Sequence, residues 1–235
     1  DQCNVPVGDN FVAVAAGGWH NLALKSDGSL VAWGDDYEGL SNVPPGNDFI
    51  AIACGSFHSL ALRSDGSVVA WGDNGDNQCD VPEGNDFVAV AGGMYHSLGL
   101  KADGTVLPWG YNYSGEVDVP DGNNFVAIGG GQTLSTALKS DGTLAAWGWN
   151  ALGQCNVPEG NDFMAIATCF NHTLAIKSDG AIVAWGDNYW GQCNVPSGDN
   201  FGGIATGDYH SIALTADPEL TKIEIVGPNT VVENS

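Results

Sequence analysis

Histidine and cysteine are the residues of this sequence that could ligate a metal ion or act as nucleophiles, and both recur in phase with a 38-residue interval. Leu134 occupies one position of the histidine register, and the five histidines occupy the others: His20, His58, His96, His172 and His210. A zinc ion needs several ligands about 2 Å from one point, whereas one histidine per repeat gives a ring of separate side chains. We therefore expect histidines that bond backbone at the start of a strand, and neither a metal site nor a cofactor.

The six cysteines indicate packing positions. Four of them share one register just before a Val-Pro pair: Cys3, Cys79, Cys155 and Cys193. Ser41 and Val117 occupy that register in other copies, and replacement by small residues is typical of packing. A disulfide requires Cα atoms within about 7 Å, and we expect equivalent positions in neighbouring copies to lie farther apart. Cys54 and Cys169 belong to non-adjacent copies, so we expect free thiols.

Aspartate recurs beside glycine, where it favours turns. The Asp-Gly pairs begin at Asp27, Asp65, Asp103, Asp141 and Asp179. Their spacing lacks the ligand-dense loop and terminal glutamate of a calcium site. The sequence also has no P-loop and no nucleophile elbow, and no position combines a unique histidine with a unique acid. We predict no catalytic residues and no enzymatic activity.

The charge of the chain is one-sided. Its 28 acidic and 6 basic residues give a net charge of −22, which disfavours nucleic acid and anionic membrane surfaces as partners. The sequence has no secretory signal and no apolar run of 18 residues. We expect a soluble acidic chain without membrane insertion, either processed or cut from a longer protein.

A 38-residue repeat must position all of these residues. Trp-Gly recurs at this spacing from Trp33 to Trp185, and Val-Pro recurs from Val5 to Val195. In the first copy, extended runs cover residues 11–16, 21–25 and 30–33, with a shortest run around 42–44, and a Ser-Asp-Gly hairpin turn follows the second. The first three runs are almost entirely apolar, so both sheet faces are expected to be buried. A unit of four short strands repeated about every 40 residues predicts a β-propeller blade.

The repeated residues also resemble a known family. The pattern Val-Ala-Val-Ala-Ala-Gly-Gly-Trp-His-Asn-Leu-Ala-Leu-Lys-Ser-Asp-Gly, then Val-Ala-Trp-Gly-Asp and Gly-Gln-Cys-Asn-Val-Pro, resembles the regulator-of-chromosome-condensation (RCC1-like) repeat over residues 1–220. It is most similar to short-repeat bacterial members such as the BLIP-II-type β-lactamase inhibitor. The resemblance implies an all-β propeller of six four-stranded blades, in which the N-terminal strand closes the last blade. The related inhibitor has seven blades, so seven remains an alternative.

The tail, residues 221–235, breaks the repeat. Residues 223–226 either form the third strand of the last blade or, with the rest of the tail, open a bacterial immunoglobulin-like surface domain. The second alternative implies an extracellular or cell-surface location.

Strand order places two kinds of loop on one face, and these loops are rich in aromatic residues that differ between copies. The candidate partner-binding residues are Trp19, Tyr37, Phe57, Tyr95, Tyr111, Tyr113, Trp149, Phe170, Tyr189, Trp190 and Tyr209. Charged residues on this face are acids such as Asp76 and Glu116, while the bases from Lys25 to Lys177 precede the turn on the opposite face. Variable aromatics on a constant frame are typical of a binding surface.

The sequence therefore predicts a non-catalytic module that binds a protein with a neutral or basic surface, and no nucleic acid. One alternative is an inhibitor of a class A β-lactamase. Others are a glycan-binding propeller and a structural spacer of a bacterial surface protein.

Overall fold

The computed structural model describes residues 2–216, 222–226 and 232–233. The chain divides into two compact units, Asp1–Asn123 and Asn124–Ser235. Each unit contains three antiparallel sheets.

The sheets of unit 1 are each made of three strands in sequence order. Its strands are β1 (Phe11–Ala16), β2 (His20–Lys25), β3 (Leu30–Gly34), β4 (Phe49–Cys54), β5 (His58–Arg63), β6 (Val68–Gly72), β7 (Phe87–Gly92), β8 (His96–Lys101) and β9 (Val106–Gly110). A 3-10 turn at Tyr37–Gly39 follows β3. The three apolar runs predicted in the first copy are thus confirmed as β1, β2 and β3.

The sheets of unit 2 follow the same sequence order. Its strands are β10 (Phe125–Gly130), β11 (Leu134–Lys139), β12 (Leu144–Gly148), β13 (Phe163–Cys169), β14 (His172–Lys177), β15 (Ile182–Gly186), β16 (Phe201–Thr206), β17 (Ser211–Thr215), β18 (Lys222–Val226) and β19 (Val232–Glu233). The last sheet has the order β16-β17-β18-β19, and the other two have three strands.

The predicted fourth strand around residues 42–44 is not confirmed. The Val43 N–H donates to the Ser41 carbonyl at 3.0 Å, which closes a turn, and Pro44 and Pro45 have no N–H to donate to a ladder. Val81 and Val157 make the same contact in later repeats. Among the described residues, five of the six sheets therefore have three strands and only the last has four.

In the tail, β18 pairs antiparallel with β17. Residues 217–221, 227–231 and 234–235 lie outside the described residues. The start of a further domain in the tail stays a prediction.

Burial on both sheet faces follows from the nearly continuous apolar runs. The second strands are the most buried, with Leu22, Leu60 and Leu98 at 0% exposure, and each such leucine contributes about 2 kcal/mol relative to exposure. In unit 1 the second and third strands of the first sheet pack against Phe49, which begins the next sheet. The same packing recurs in unit 2, where Phe163 and Phe201 occupy the equivalent place.

The first sheet has one apolar face in contact with solvent. Val14 is 73% exposed, whereas Ile52 and Val90 at the same register of the next two sheets are half-buried. An apolar cavity of about 260 Å³ lies on this face, lined by Val14, Phe11 and their neighbours. In the described part of the chain, no helix is long and apolar enough to cross a membrane.

Candidate protein-binding surface

In each of the first five sheets, the loop after the first strand lies beside the loop after the third strand. A backbone N–H that follows Trp-Gly donates to the carbonyl just before the histidine register: Asp35 to Trp19, Asp73 to Phe57, Tyr111 to Tyr95, Trp149 to Thr133 and Asp187 to Asn171, at 2.8–2.9 Å. We call these paired loops the aromatic end of each sheet. The sequence prediction that the two kinds of loop share one face is confirmed within each of these five sheets.

A buried amide holds the tip of the loop after the third strand in three repeats. The Gln78 side chain is fully buried, and its Oε1 accepts the Asp76 N–H at 2.9 Å. Gln154 and Gln192 accept equivalent backbone N–H groups at 2.8 and 2.9 Å. The third repeat has a carboxylate instead, and Glu116 Oε2 accepts the Ser114 N–H at 2.8 Å.

A second set of contacts closes the same loops at their base. Asn74 Oδ1 accepts the Cys79 N–H at 2.8 Å while its Nδ2 donates to Asp80 at 2.9 Å. The same pair of contacts recurs around Asn112, Asn150 and Asn188. Each loop tip is thus fixed by its own side chains, which lowers the entropic cost of binding a partner.

Four aromatic rings form a continuous strip in unit 1. Phe57 stacks on Tyr95 at a centroid distance of 5.6 Å, Tyr95 meets Tyr111 edge-on at 6.1 Å, and Tyr111 stacks on Tyr113 at 6.3 Å. Phe57, Tyr95 and Tyr111 are half-buried, whereas Tyr113 is 84% exposed. We call these four residues the aromatic strip.

Unit 2 contains two aromatic pairs. Phe170 and Tyr209 lie 5.3 Å apart, and Tyr189 and Trp190 meet edge-on at 4.9 Å. Phe170 has a positive φ of 46°, an uncommon conformation for an aromatic residue.

The remaining three predicted residues are exposed in the same kinds of loop: Trp19, Tyr37 and Trp149. Within the described residues they join neither the aromatic strip nor the two pairs of unit 2. The structure therefore places all eleven candidates in the loops of the aromatic end and brings eight of them into ring contact. Their binding role stays a prediction.

Basic residues lie at the opposite end of the strands. Arg63 ends β5 and pairs with Asp48 at 2.6 Å, and Lys101 ends β8 and pairs with Asp86 at 3.1 Å. Lys177 does the same with Asp162 in unit 2 at 3.2 Å. These three aspartates lie in the Gly-Asn-Asp segments that link successive repeats, and each forms an ion pair with the base at the end of a second strand.

Acidic residues shape the potential around the strip. Tyr111 has a raised pKa, because desolvation and the nearby carboxylates of Glu116 and Asp76 disfavour its phenolate form. The aromatic strip therefore lies in a region that favours positive charge.

The histidines lie directly behind these loops and connect successive repeats. The Nε2–Oγ distances are 2.7 Å for His20 and Ser59, 2.8 Å for His58 and Ser97, and 2.9 Å for His172 and Ser211. The prediction that these histidines hydrogen-bond to backbone is wrong, because their Nε2 atoms hydrogen-bond to a serine hydroxyl of the next repeat. Ser97 Oγ itself donates to the Gln78 carbonyl at 2.9 Å. Its lone pair therefore accepts a hydrogen bond from His58 Nε2–H, which makes His58 the neutral Nε2–H tautomer.

Burial opposes protonation of these rings. It lowers the pKa of His20, His96 and His172 to about 4 and that of His58 to about 3. His210 is exposed. No group of three or more potential metal ligands occurs among the described residues.

All six cysteines are free thiols. Cys79 Sγ donates to the Asp73 carbonyl at 3.3 Å, and Cys193 Sγ donates to the Asp187 carbonyl at 3.2 Å. These two cysteines therefore stabilise the base of the loop after the third strand. Burial raises the pKa of Cys54, Cys79 and Cys169 to about 12, which makes these thiols poor nucleophiles.

Sequence reasoning missed the loop-holding residues. Gln78 and Asn74 recur in phase with the repeat, as the histidines and cysteines do, and a polar residue repeated in an otherwise apolar frame was the signal that could have revealed them. Their role was hidden because the sequence does not indicate which backbone groups their side chains reach.

Comparison with known families identifies the repeat. The family model of the regulator of chromosome condensation (RCC1) repeat matches residues 11–40, 49–78, 87–116 and 165–192. The first three ranges begin at the first strand of a sheet and end in the loop after the third. No curated protein sequence matches the chain.

Solved structures share the fold. Prp20p of Saccharomyces cerevisiae, studied for its binding to Gsp1p and histones, is 20% identical with a TM-score of 0.79 over 92% of this chain and 72% of that one. The same yeast RCC1 bound to Kap60 gives a TM-score of 0.78 at 20% identity, over 92% of this chain and 70% of that one. The ectodomain of the receptor kinase CR4 of Physcomitrella patens is 23% identical with a TM-score of 0.77, over 96% of this chain and 65% of that one. At such low identity, these likenesses establish the RCC1-repeat β-propeller fold alone.

Proposed function

We propose that this chain, which belongs to the regulator of chromosome condensation (RCC1) repeat family, is a non-catalytic module. It binds another protein through the aromatic ends of its sheets. The observation that carries the proposal is the set of aromatic side chains at these ends, part of which lies on loops already fixed by the equivalents of Gln78 and Asn74. The aromatics on such fixed loops are Tyr111, Tyr113, Trp149, Tyr189 and Trp190. Tyrosine and tryptophan are enriched among interface residues that dominate binding energy. Rigid loops hold them in place before the partner arrives.

The charge distribution supports a partner with a neutral or basic surface. Exposed acids such as Asp35 and Glu38 lie in the loops of the aromatic end, so an acidic partner would be repelled. Prp20 shares the fold, and its structure was solved in complex with Kap60 and studied for binding to Gsp1p and histones. A protein with this fold can therefore bind other proteins.

Replacement of three aromatics tests the proposal. A variant with Trp19→Ala, Tyr95→Ala and Trp190→Ala is expected to bind a captured protein at least about 100-fold more weakly, because interface aromatics often contribute about 2 kcal/mol or more each. The control carries Val12→Ala, Val88→Ala and Met164→Ala, which are exposed on first strands and should leave the affinity unchanged. Affinities are measured by calorimetry after capture and identification.

Three results of this experiment would be informative in different ways. Equal binding by the aromatic variant and the control would refute the proposal. A captured class A β-lactamase, with its activity blocked, would identify the inhibitor alternative. Retention on a neutral glycan column, lost in the aromatic variant, with no protein captured, would establish glycan binding in place of protein binding.

We further propose the six-bladed arrangement in which the N-terminal strand completes the last blade. It is supported by the exposed apolar surface of the first repeat, where Val5 and Val14 are 67% and 73% exposed. Monomeric proteins rarely leave a contiguous apolar patch of this kind in water. A covering strand or sheet is therefore expected in solution.

Two matched substitutions test that cover. Val14→Asp is expected to lower the free energy of unfolding by about 2 kcal/mol or more, because it would bury a charge. Val12→Asp is the control, since Val12 and its equivalents Ile50, Val88 and Val126 are all exposed. Urea unfolding with equal midpoints for the two variants would show that the Val14 face stays in solvent and that the ring does not close over it.

A further inference from the structure

The aromatic strip differs from the other aromatic residues by its continuity and by its charged surroundings. Its four rings touch in sequence from Phe57 to Tyr113, and its last ring is open to solvent. A strip of this kind offers several ring faces side by side, and each ring face carries partial negative charge.

Two carboxylates lie in the loops around Tyr111. Glu116 Oε2 accepts the Ser114 N–H at 2.8 Å in the loop that carries Tyr111 itself. The Asp76 N–H donates to Gln78 Oε1, and the Gln78 carbonyl accepts the Nε1–H of Trp109, two residues before Tyr111. Glu116 is fully buried, and Asp76 is half-buried at the tip of the neighbouring loop. Both act on the Tyr111 hydroxyl, since each raises the pKa of that group. In the described part of the chain, the ion pairs that we observe involve Asp48, Asp86 and Asp162 rather than Asp76.

The basic residues of unit 1 are at the far end of the strands. Arg63 ends β5, the strand that begins one residue after Phe57, and Lys101 ends β8, which begins after Tyr95. Six residues of strand place these cations on the order of 16 Å away. Both cations are also held in ion pairs, so the strip lacks a cation supplied by its own sheets.

Charge complementarity distinguishes between possible occupants. An acidic or phosphorylated segment would be repelled by Asp76 and Glu116. A neutral sugar would stack on the rings but would gain nothing from the carboxylates. A guanidinium group uses both features, because it stacks flat on a tyrosine and donates N–H groups to a carboxylate.

We propose that the aromatic strip binds an arginine side chain of a basic peptide segment, stacked on Tyr111 between Tyr95 and Tyr113 with its N–H groups directed to Asp76. This assignment rests on the proposed function and names the partner chemistry of one part of that surface. The segment runs along the strip, with Phe57 and Tyr113 as apolar contacts on either side.

Tyrosine NMR provides a direct measurement. The chain has six tyrosines, so ring-labelled protein gives six resolvable groups of signals. A 12-residue synthetic Arg-Gly-Ser peptide is titrated into the full chain, and the same peptide with glutamine in place of arginine serves as the neutral probe. We expect shifts at Tyr95, Tyr111 and Tyr113, with Tyr37 and Tyr189 unchanged, and at least a several-fold loss of affinity in high salt.

The repeat supplies matched controls for the variants. Asp76→Asn is compared with Glu38→Gln, which changes the same register of the first repeat. Tyr111→Leu is compared with Val88→Ala, which is exposed on a first strand away from the loops. Asp76→Asn and Tyr111→Leu are each expected to weaken binding of the arginine peptide about 10-fold. The two control variants should change it less than about twofold.

Several outcomes would overturn the assignment. These are no binding of the arginine peptide, equal binding of the glutamine peptide, shifts spread over all six tyrosines, or equal effects of Asp76→Asn and Glu38→Gln. If the captured partner is lost by the triple aromatic variant but is insensitive to Asp76→Asn and to salt, the proposed function stands and this assignment fails. If the triple variant keeps the partner, the proposed function itself fails.

Discussion

Lowering the pH from 7 to 5 is expected to lower the free energy of unfolding by roughly 5–8 kcal/mol. The cause is the set of four buried histidines, His20, His58, His96 and His172, whose pKa values lie near 3 to 4 in the folded chain and about 6.5 when unfolded. Such a loss is comparable with the whole stability of many domains. Urea unfolding at a series of pH values measures it.

The direction follows from proton binding. Below pH 6.5 the unfolded chain binds protons that the folded histidines cannot bind, so stability is full above this pH and falls as the pH drops towards about 4. With four such groups the free energy changes by about 5 kcal/mol per pH unit near pH 5. Asp27 and Asp65 have lowered pKa values because Ser29 and Ser67 hydrogen-bond to their carboxylates, so their contribution is lost only below about pH 4 and forms a separate phase.

The fourth repeat provides the control for the pH experiment. Its histidine register has Leu134, and the next repeat has Thr173 at the register where Ser59, Ser97 and Ser211 are the histidine partners. The double variant His58→Leu with Ser97→Thr reproduces this leucine–threonine pair and should remain folded. We expect proton uptake on unfolding to fall from about four to about three. An unchanged slope, or a flat profile for the parent protein, would contradict the assignment of acid sensitivity to these histidines.

The sequence was sufficient to predict the strands because their signal is local. The apolar run around Leu22 and the Asp-Gly turn after Lys25 each specify their own conformation, and β1, β2 and β3 follow them closely. The fourth strand predicted around residues 42–44 is not confirmed, because two structures compete for the same backbone groups. These groups can form either a local turn or the hydrogen bonds of a sheet. Pro44 and Pro45 remove two donors, and the Val43 N–H bonds the Ser41 carbonyl instead.

The candidate surface was predictable in position but not in arrangement. Strand order alone places Tyr95 and Tyr111 in loops at the same end, and the bond between their backbones confirms that placement. Contact between aromatic rings of successive repeats depends on the angle between their sheets. The sequence of one repeat does not indicate that angle. The role of His58 was missed for the same reason, since its partner Ser97 lies 39 residues away.

Gly66→Ala is expected to lower the free energy of unfolding by about 3–5 kcal/mol, a large effect for the addition of a single methyl group. Gly66 occupies the hairpin turn after Arg63 with φ +83°, a conformation that costs other residues about 1 kcal/mol. A Cβ at this position would also collide with the carbonyl oxygen of Asn85, in the link to the next repeat. The Phe87 N–H donates to the Gly66 carbonyl at 3.1 Å, so relief of the collision would move the start of β7.

The decrease in the free energy of unfolding separates the cost of the left-handed turn from the cost of the collision with Asn85. A loss near 1 kcal/mol would mean that only the left-handed turn requires glycine, whereas a loss of about 3 kcal/mol or more requires the collision with Asn85. Gly75→Ala is the matched control, since its Cβ would meet only an Asp73 side-chain oxygen at 3.3 Å, and we expect a change within about 0.5 kcal/mol. Urea midpoints of the two variants measure the difference. A difference near 1 kcal/mol would refute the close packing of one repeat's turn on the next repeat's link. Equal midpoints would contradict both that packing and the cost of the left-handed turn.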